Sequence, residues 1–237
     1  MAETKETYSI EPIGIVHSPF QEKFGIPRQA GLVDVDCRIE LLPPYNQPEA
    51  VDGLEGFSHI WVTFVFHQAI ETPWRPGVRP PRLGGNRKVG VFASRAPVRP
   101  NYLGLSVVRL QQVIAEPNKV ELLVSGIDVV DGTPVVDIKP YISYSDSIPD
   151  AVSGFAQGAP DEVLQVEFSE QAKRDLQQLD NPESFEQLLR QVLALDPRPA
   201  YKRDETDGLY GLLLDGFNVR WSVSGGIVKV NRIEPQG

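Results

Sequence analysis

Apolar and polar residues alternate over residues 33–41: Val33, Val35, Cys37, Ile39 and Leu41 face one way, Asp34, Asp36, Arg38 and Glu40 the other. A period of two is that of a β-strand with one buried and one wet face. Residues 58–67 (S-H-I-W-V-T-F-V-F-H) are apolar on both faces, which predicts a central strand. Further strands are predicted over residues 8–16, 88–92, 105–113, 119–125 and 135–139. They are short, joined by Pro- and Gly-rich connections, with no helical period between them. The pattern predicts a closed barrel or sandwich, not βαβ units.

Residues 71–87 hold Pro73, Pro76, Pro80 and Pro81, too many for a strand or helix. They predict a long loop, and loops of that length usually carry function. Small residues, prolines and acids make residues 145–160 a linker. Two helices are predicted beyond it, over 169–179 and 182–195. The second has Asn181 as N-cap, Pro182 at the first helical position, and Phe185, Leu188, Leu189, Val192 and Leu193 on one face. Strands over 209–214, 217–223 and 227–233 follow, with turns at Asp215-Gly216 and Ser224-Gly225-Gly226. The chain reads as mainly β: a closed β-barrel over residues 8–147, then a small α+β domain over 160–235.

Charge changes the picture. The net charge of −9 argues against a nucleic-acid partner, but its distribution argues for one. Residues 72–115 hold Arg75, Arg79, Arg82, Arg87, Lys88, Arg95, Arg99 and Arg109 and no Asp or Glu. The rest of the chain holds 15 of the 23 basic residues and all 32 acidic ones. One positive surface on a negative body is the expectation, unless these arginines pair with acids elsewhere in the fold. Arginine at seven of the eight positions suits bidentate contacts to phosphate or carboxylate.

Several chemistries are excluded. A G-x-G triplet, a phosphate-loop motif and a G-x-S-x-G elbow are all missing. The single cysteine, Cys37, rules out an internal disulfide and a Cys-rich zinc site, and reads as a small buried hydrophobe suited to a reducing cytosol. His59 and His67 lie eight residues apart on one predicted strand, about 26 Å at the usual rise, too far to share a metal. Asp34-Val-Asp36 is the wet face of a strand. The start lacks the apolar run of a signal peptide, and no stretch is long enough to span a bilayer, so a cytoplasmic location is expected. No metal is expected, and no catalytic constellation announces itself. Transfer of a methyl group from a sulfonium needs orientation more than a nucleophilic side chain, and suits such a sequence.

A set of segments carries a resemblance. They are Ile13-Gly-Ile-Val-His-Ser-Pro19, Gly25-Ile-Pro-Arg-Gln29, Leu54-Glu-Gly-Phe-Ser-His-Ile-Trp61 with Phe66-His-Gln68, Arg79-Pro-Pro-Arg-Leu-Gly-Gly-Asn86, Gly90-Val-Phe-Ala-Ser-Arg-Ala-Pro97 with Arg99-Pro-Asn101 and Gly104-Leu-Ser106, and Asp131-Gly-Thr-Pro134 with Asp137-Ile-Lys-Pro-Tyr141. In this order they resemble the TsaA-like (TrmO) family, densely over residues 8–145, and Asp196-Pro-Arg-Pro-Ala-Tyr201 extends the likeness into the second domain. The resemblance implies a homodimeric β-barrel methyltransferase that uses S-adenosyl-L-methionine to methylate N6 of N6-threonylcarbamoyladenosine beside the anticodon of threonine tRNA. Matched by position, the donor-binding residues are Pro27, Arg28, Gln29, His67, Gln68, Arg95, Leu105, Asp131, Gly132, Thr133 and Pro134. No catalytic residue is implied. Ala96 and Tyr102 depart from the family's usual serine and proline.

The residues agree with the likeness. Arg28 after Pro27 suits a bidentate hold on a carboxylate. Asp131-Gly-Thr-Pro reads as a turn. Trp74 suits stacking on a base or packing at a dimer interface. RNA contacts are expected from Arg75, Arg79, Arg82 and Arg87, with Lys202 and Arg203 from the second domain. Two other readings stay open: a non-enzymatic RNA-binding barrel, or a methyltransferase of this fold with a different acceptor.

Overall fold

A computed structural model of the chain describes residues 6–158, 164–199, 202 and 208–236. Eight strands come first: β1 (Gly14–His17), β2 (Asp36–Leu41), β3 (His59–Val65), β4 (Gly77–Val78), β5 (Val89–Gly90), β6 (Leu103–Glu116), β7 (Lys119–Ser125) and β8 (Pro134–Pro140). Six close a barrel in the order β1-β2-β7-β6-β3-β8, every neighbouring pair antiparallel. The closed barrel expected from the strand pattern is what the chain forms.

Alternation fills the interior. Ile60, Val62 and Phe64 of β3, Val108 and Leu110 of β6, and Val120, Leu122 and Val124 of β7 are buried. A barrel this narrow holds side chains and no channel. At Gly104 of β6 an added Cβ would run into the Phe64 ring on the paired strand, so the close approach requires glycine.

Three strand expectations need correction. Residues 8–13 are not strand, and β1 is only four residues long. The 88–92 segment shrinks to β5, two residues paired with β4, and then turns into a short 3-10 helix. In β3 only one face is fully buried. Its outer face is apolar because the chain returns over it: Tyr141 packs on Trp61 at 6.0 Å, and Trp61 Nε1 donates to Asp146 Oδ2 at 3.0 Å. Asp146 ends the short helix α1 (Ser143–Asp146).

The second unit is a four-stranded sheet, β9 (Gln165–Phe168), β10 (Leu209–Leu214), β11 (Phe217–Ser224) and β12 (Ile227–Pro235), in the order β10-β11-β12-β9. β9 was not expected: it is four residues long and pairs parallel with β12. Two helices join it, α2 (Glu170–Leu176) and α3 (Pro182–Ala194). The Ser169 hydroxyl caps α2 by accepting from the Ala172 N–H at 3.0 Å. In α3 the five apolar residues named from sequence are all buried, as the 3.6-residue period requires. Asn181 holds the N-cap position, but its side chain makes no capping hydrogen bond.

The two units share one apolar core. Phe20, 1 % exposed, lies in the β1–β2 connection and bridges to Leu214 of β10. The N–H groups of Asp215, Gly216 and Leu213 donate to the Pro19 carbonyl, Gln21 Oε1 and Glu22 Oε1. Phe24 stacks on Trp221 at 6.4 Å. Phe20→Ala should therefore destabilise the whole chain by about 3–5 kcal/mol, with unfolding still in one transition. Denaturant titration followed by tryptophan fluorescence checks this; two resolved transitions would show that the junction does not couple the units.

Candidate functional site

Antiparallel closure places the long connections. Asp36 of β2 pairs with Ser125 of β7, Ile15 of β1 with Pro134 of β8, and Val65 of β3 with Leu103 of β6. The connections 18–35, 66–102 and 126–133 therefore all rise from the same end of the barrel. They carry ten of the eleven residues expected at the donor site, or adjoin them, and Leu105 sits near the same end of β6.

The three connections touch. Arg95 Nη1 donates to Gln29 Oε1 at 2.5 Å, joining the first to the second. Lys23 Nζ donates to the Gln68 carbonyl at 3.0 Å. The Ser18 N–H donates to Asp131 Oδ1, the Asp131 N–H to the Phe20 carbonyl, and the Gly132 N–H to the Val16 carbonyl, joining the first to the third. Arg28, Gln68, Arg95, Asp131 and Gly132 are exposed there, and Leu105 is 52 % exposed. Two expected residues differ in kind. Pro27 is buried, and Thr133 is buried with its hydroxyl donating to the Val130 carbonyl at 2.6 Å. Thr133 closes the turn and Pro27 shapes its loop, so their side chains do not face solvent. His67 is half-buried in a 3-10 turn beyond the end of β3.

Sequence reasoning missed Lys23, Ser106 and Asp128. Ser106 is buried in β6, and its hydroxyl donates to Asp128 Oδ1 at 2.6 Å. Burial pushes the Asp128 carboxyl above its ordinary range, against hydrogen bonds from Ser106 and from backbone N–H groups including Ala30, and against the nearby Arg95 charge. The available signal was a single acid inside the apolar run Val124–Val130.

The arginine-rich segment is the 66–102 connection, pinned by β4 and β5 and by short 3-10 helices at Pro81–Leu83 and Val91–Ala93. Arg75, Arg79, Arg82 and Arg87 are exposed. Among the described residues none of the eight basic positions from Arg75 to Arg109 forms an ion pair with a carboxylate, so the alternative of internal ion pairs does not hold there. Arg82 is nonetheless engaged, donating to the Gly158 carbonyl. Lys202 is half-buried, its carbonyl accepting from Arg198. Arg203 lies outside the described residues.

Comparison with known proteins decides the family. The model of the tRNA-methyltransferase O N-terminal domain matches residues 15–147, and that of the TrmO C-terminal domain matches residues 161–236. The chain belongs to the TrmO family. It is 47 % identical to the tRNA (adenine(37)-N6)-methyltransferase of Escherichia coli over 97 % of this chain and 99 % of that one. RcsF of Pseudomonas aeruginosa, assigned by name to the S-adenosylmethionine-dependent methyltransferases, is 50 % identical over 91 % of this chain and 92 % of its own. The crystal structure of TrmO from P. aeruginosa superimposes with a TM-score of 0.81 at 39 % identity, covering 98 % and 99 % of the two chains.

Within the TrmO barrel the lone thiol is no nucleophile. Burial first, then Asp36 and Asp131, pushes Cys37 up to about 12. The thiol stays protonated at neutral pH and should resist a thiol reagent at pH 8 in the folded protein. It should then label on unfolding; rapid labelling of the native chain would contradict the burial.

Proposed function

We propose that this chain is an S-adenosylmethionine-dependent tRNA methyltransferase that methylates N6 of adenine 37, with N6-threonylcarbamoyladenosine in threonine tRNA as acceptor. The observation that carries the reading is the convergence of residues 27–29, 67–68, 95, 105 and 131–134 at one barrel end in a chain of the TrmO family. This set fits the donor: guanidiniums and an amide for an amino-acid carboxylate, an exposed leucine for an apolar ring face, and a glycine turn offering backbone groups. Arg28 would hold the carboxylate, Gln29 and Arg95 would hold each other and the donor, and the Asp131–Gly132 turn would meet the nucleoside end. When bound, S-adenosylmethionine supplies an electrophilic methyl group on a sulfonium. The protein's part is to orient acceptor N6 toward it and exclude water, which accounts for a site without a nucleophile.

The relatives' names supply the tRNA and its adenine 37. The threonylcarbamoyl group, the threonine tRNA and a homodimer are what the family resemblance implies, and the single cysteine suits a cytoplasmic setting. The exposed Phe92, Tyr144, Ile148 and Val152 offer apolar surface for a second copy. Mass spectrometry of tRNA nucleosides from cells with and without the protein should show N6-methylated threonylcarbamoyladenosine only when it is present. An unmodified wild-type pattern would return the reading to an RNA-binding barrel or to another acceptor.

Two variants test the parts. Arg28→Ala should weaken S-adenosylmethionine binding by about 1.5–3 kcal/mol in calorimetry, the loss of a charge-assisted hydrogen bond. Changing Arg75, Arg79 and Arg82 together to Gln should lower tRNA affinity and flatten the log–log salt slope by roughly 0.7–0.9 for each phosphate no longer neutralised. Donor binding should be nearly unchanged. Wild-type affinity and slope in the triple variant would make these arginines structural.

A further inference from the structure

Among the described residues five that are not glycine have a positive φ: Asn101, Tyr102, Asn118, Asp196 and Asp215. Four are Asn or Asp, whose short polar side chains tolerate the left-handed region. Tyr102 is the exception, at φ of +54°, and it directly follows Asn101 at +64°. A bulky residue is strained there, and such strain persists only where the surroundings hold it. Here the hold comes from residues 66–72, which begin the connection that Tyr102 ends. The Phe66 N–H donates to the Tyr102 carbonyl at 2.8 Å, and the Tyr102 hydroxyl donates to the Thr72 carbonyl at 3.1 Å. His67 and Gln68 lie between those two bonds.

The segment is a chain of short turns. The Ala69 N–H donates to the Phe66 carbonyl at 2.8 Å and the Thr72 N–H to the Ala69 carbonyl at 2.9 Å. Its start is anchored in the barrel, where Phe66 packs edge-on against Phe64 at 5.1 Å. Its middle is held by Lys23, at the Gln68 carbonyl. Its end, at Thr72, is tied back to the foot of β6 by the phenol. We propose that Tyr102 is a positioning residue of the donor site, its left-handed backbone and its hydroxyl together holding the 66–72 segment that presents His67 and Gln68; this rests on the donor-site reading above.

The residue type carries the argument. A glycine would give the chain the same course before β6 without strain, and its carbonyl would still accept from Phe66. Tyrosine adds a hydroxyl that reaches across the connection to Thr72. Strain kept in exchange for one such contact beside a binding site is the mark of a pre-organised loop. A segment left loose would have to be ordered each time the donor bound, at an entropic cost that weakens binding.

The test uses the full chain and two readouts. Hydrogen exchange on the ligand-free chain reads the segment itself. Tyr102→Phe should speed exchange of the Ala69 and Thr72 amides about fivefold, the size of one neutral hydrogen bond, and leave the amides of β3 and β6 unchanged. Calorimetry with S-adenosylmethionine reads the consequence, and the same variant should raise the dissociation constant about fivefold. Tyr102→Asn accepts the left-handed backbone without the phenol, so it should show both changes and melt no lower than Tyr102→Phe. In a chain carrying His67→Ala and Gln68→Ala, Tyr102→Phe should add little, because a residue acting through them cannot act without them. Unchanged exchange at 69 and 72, an unchanged dissociation constant, or full additivity would overturn the proposal. A merely structural tyrosine would lower the melting temperature and leave the donor affinity of the folded chain, measured well below the transition, where it was. Failure of the wild-type chain to bind the donor would instead strike the donor-site reading, and the exchange readout separates the two.

Discussion

The constraint on which the rest depends is antiparallel closure of six short strands. In an antiparallel barrel each strand's direction is set by its neighbours, so connections alternate between two ends. Here the short turn at residues 117–118 falls at one end, and the three connections that carry polar and basic residues fall at the other. Register is held by in-out alternation: a one-residue slip of β3 would put Trp61 and Thr63 into the core and Ile60, Val62 and Phe64 outside. The strands thus fix where the site is without contributing most of its side chains, a common division between rigid scaffold and functional loops.

The second unit acts on the site through the first of those loops. Gly25, with φ of +91°, approaches Leu212 so closely that a Cβ would collide with it. Two residues on is Pro27, buried beside Arg28. Val192, Leu195 and Pro197 from the end of α3 line a small cavity against residues 25–28, and Gln191 accepts from the Asp34 N–H at 2.7 Å. Behind this contact, the buried Asp196 and Arg198 pair through two hydrogen bonds of 2.8 and 3.0 Å, and Arg198 lies 5.8 Å from the Tyr210 ring centroid. Tyr210 stacks on Trp221, which stacks on Phe24 of the same loop. A loop of 18 residues between β1 and β2 would otherwise be free to sample many conformations, at an entropic cost incurred whenever a ligand ordered it. The sheet and α3 order most of it in advance.

What was legible in the sequence follows the range of the forces involved. β2, β11 and α3 were readable because periodicity is local and each buries one face. β3 misled because its outer face is covered by a segment some eighty residues later, and a period-two reading cannot see Tyr141 and Asp146 returning over Trp61. β9 escaped because four residues give too few alternations. The barrel end as a place was not legible, since it depends on which strands pair. The residues clustered there were identified by resemblance, and their spacing along the chain gave no hint of it. Asp128 shows the limit most clearly: an acid among valines gives no hint that the Ser106 hydroxyl of β6 will donate to it.

Electrostatics ties the site to its partner. A body of net charge −9 repels a polyanion at long range, and at physiological salt that repulsion is screened beyond about 8 Å. Within that distance only local charge counts, and the 66–102 connection presents exposed arginines with no acid in its sequence after Glu71. Among the described residues their guanidiniums form no ion pair with a carboxylate. On the proposed reading the acidic remainder would serve selectivity: tRNA would be attracted in the orientation that brings its phosphates to the arginine face and repelled in others, which would narrow the encounters to those placing a base near the barrel end. Placement is the larger part of what such an enzyme must supply. A methyl donor already carries its own reactivity, and the work left to the chain is to hold two bound molecules in line.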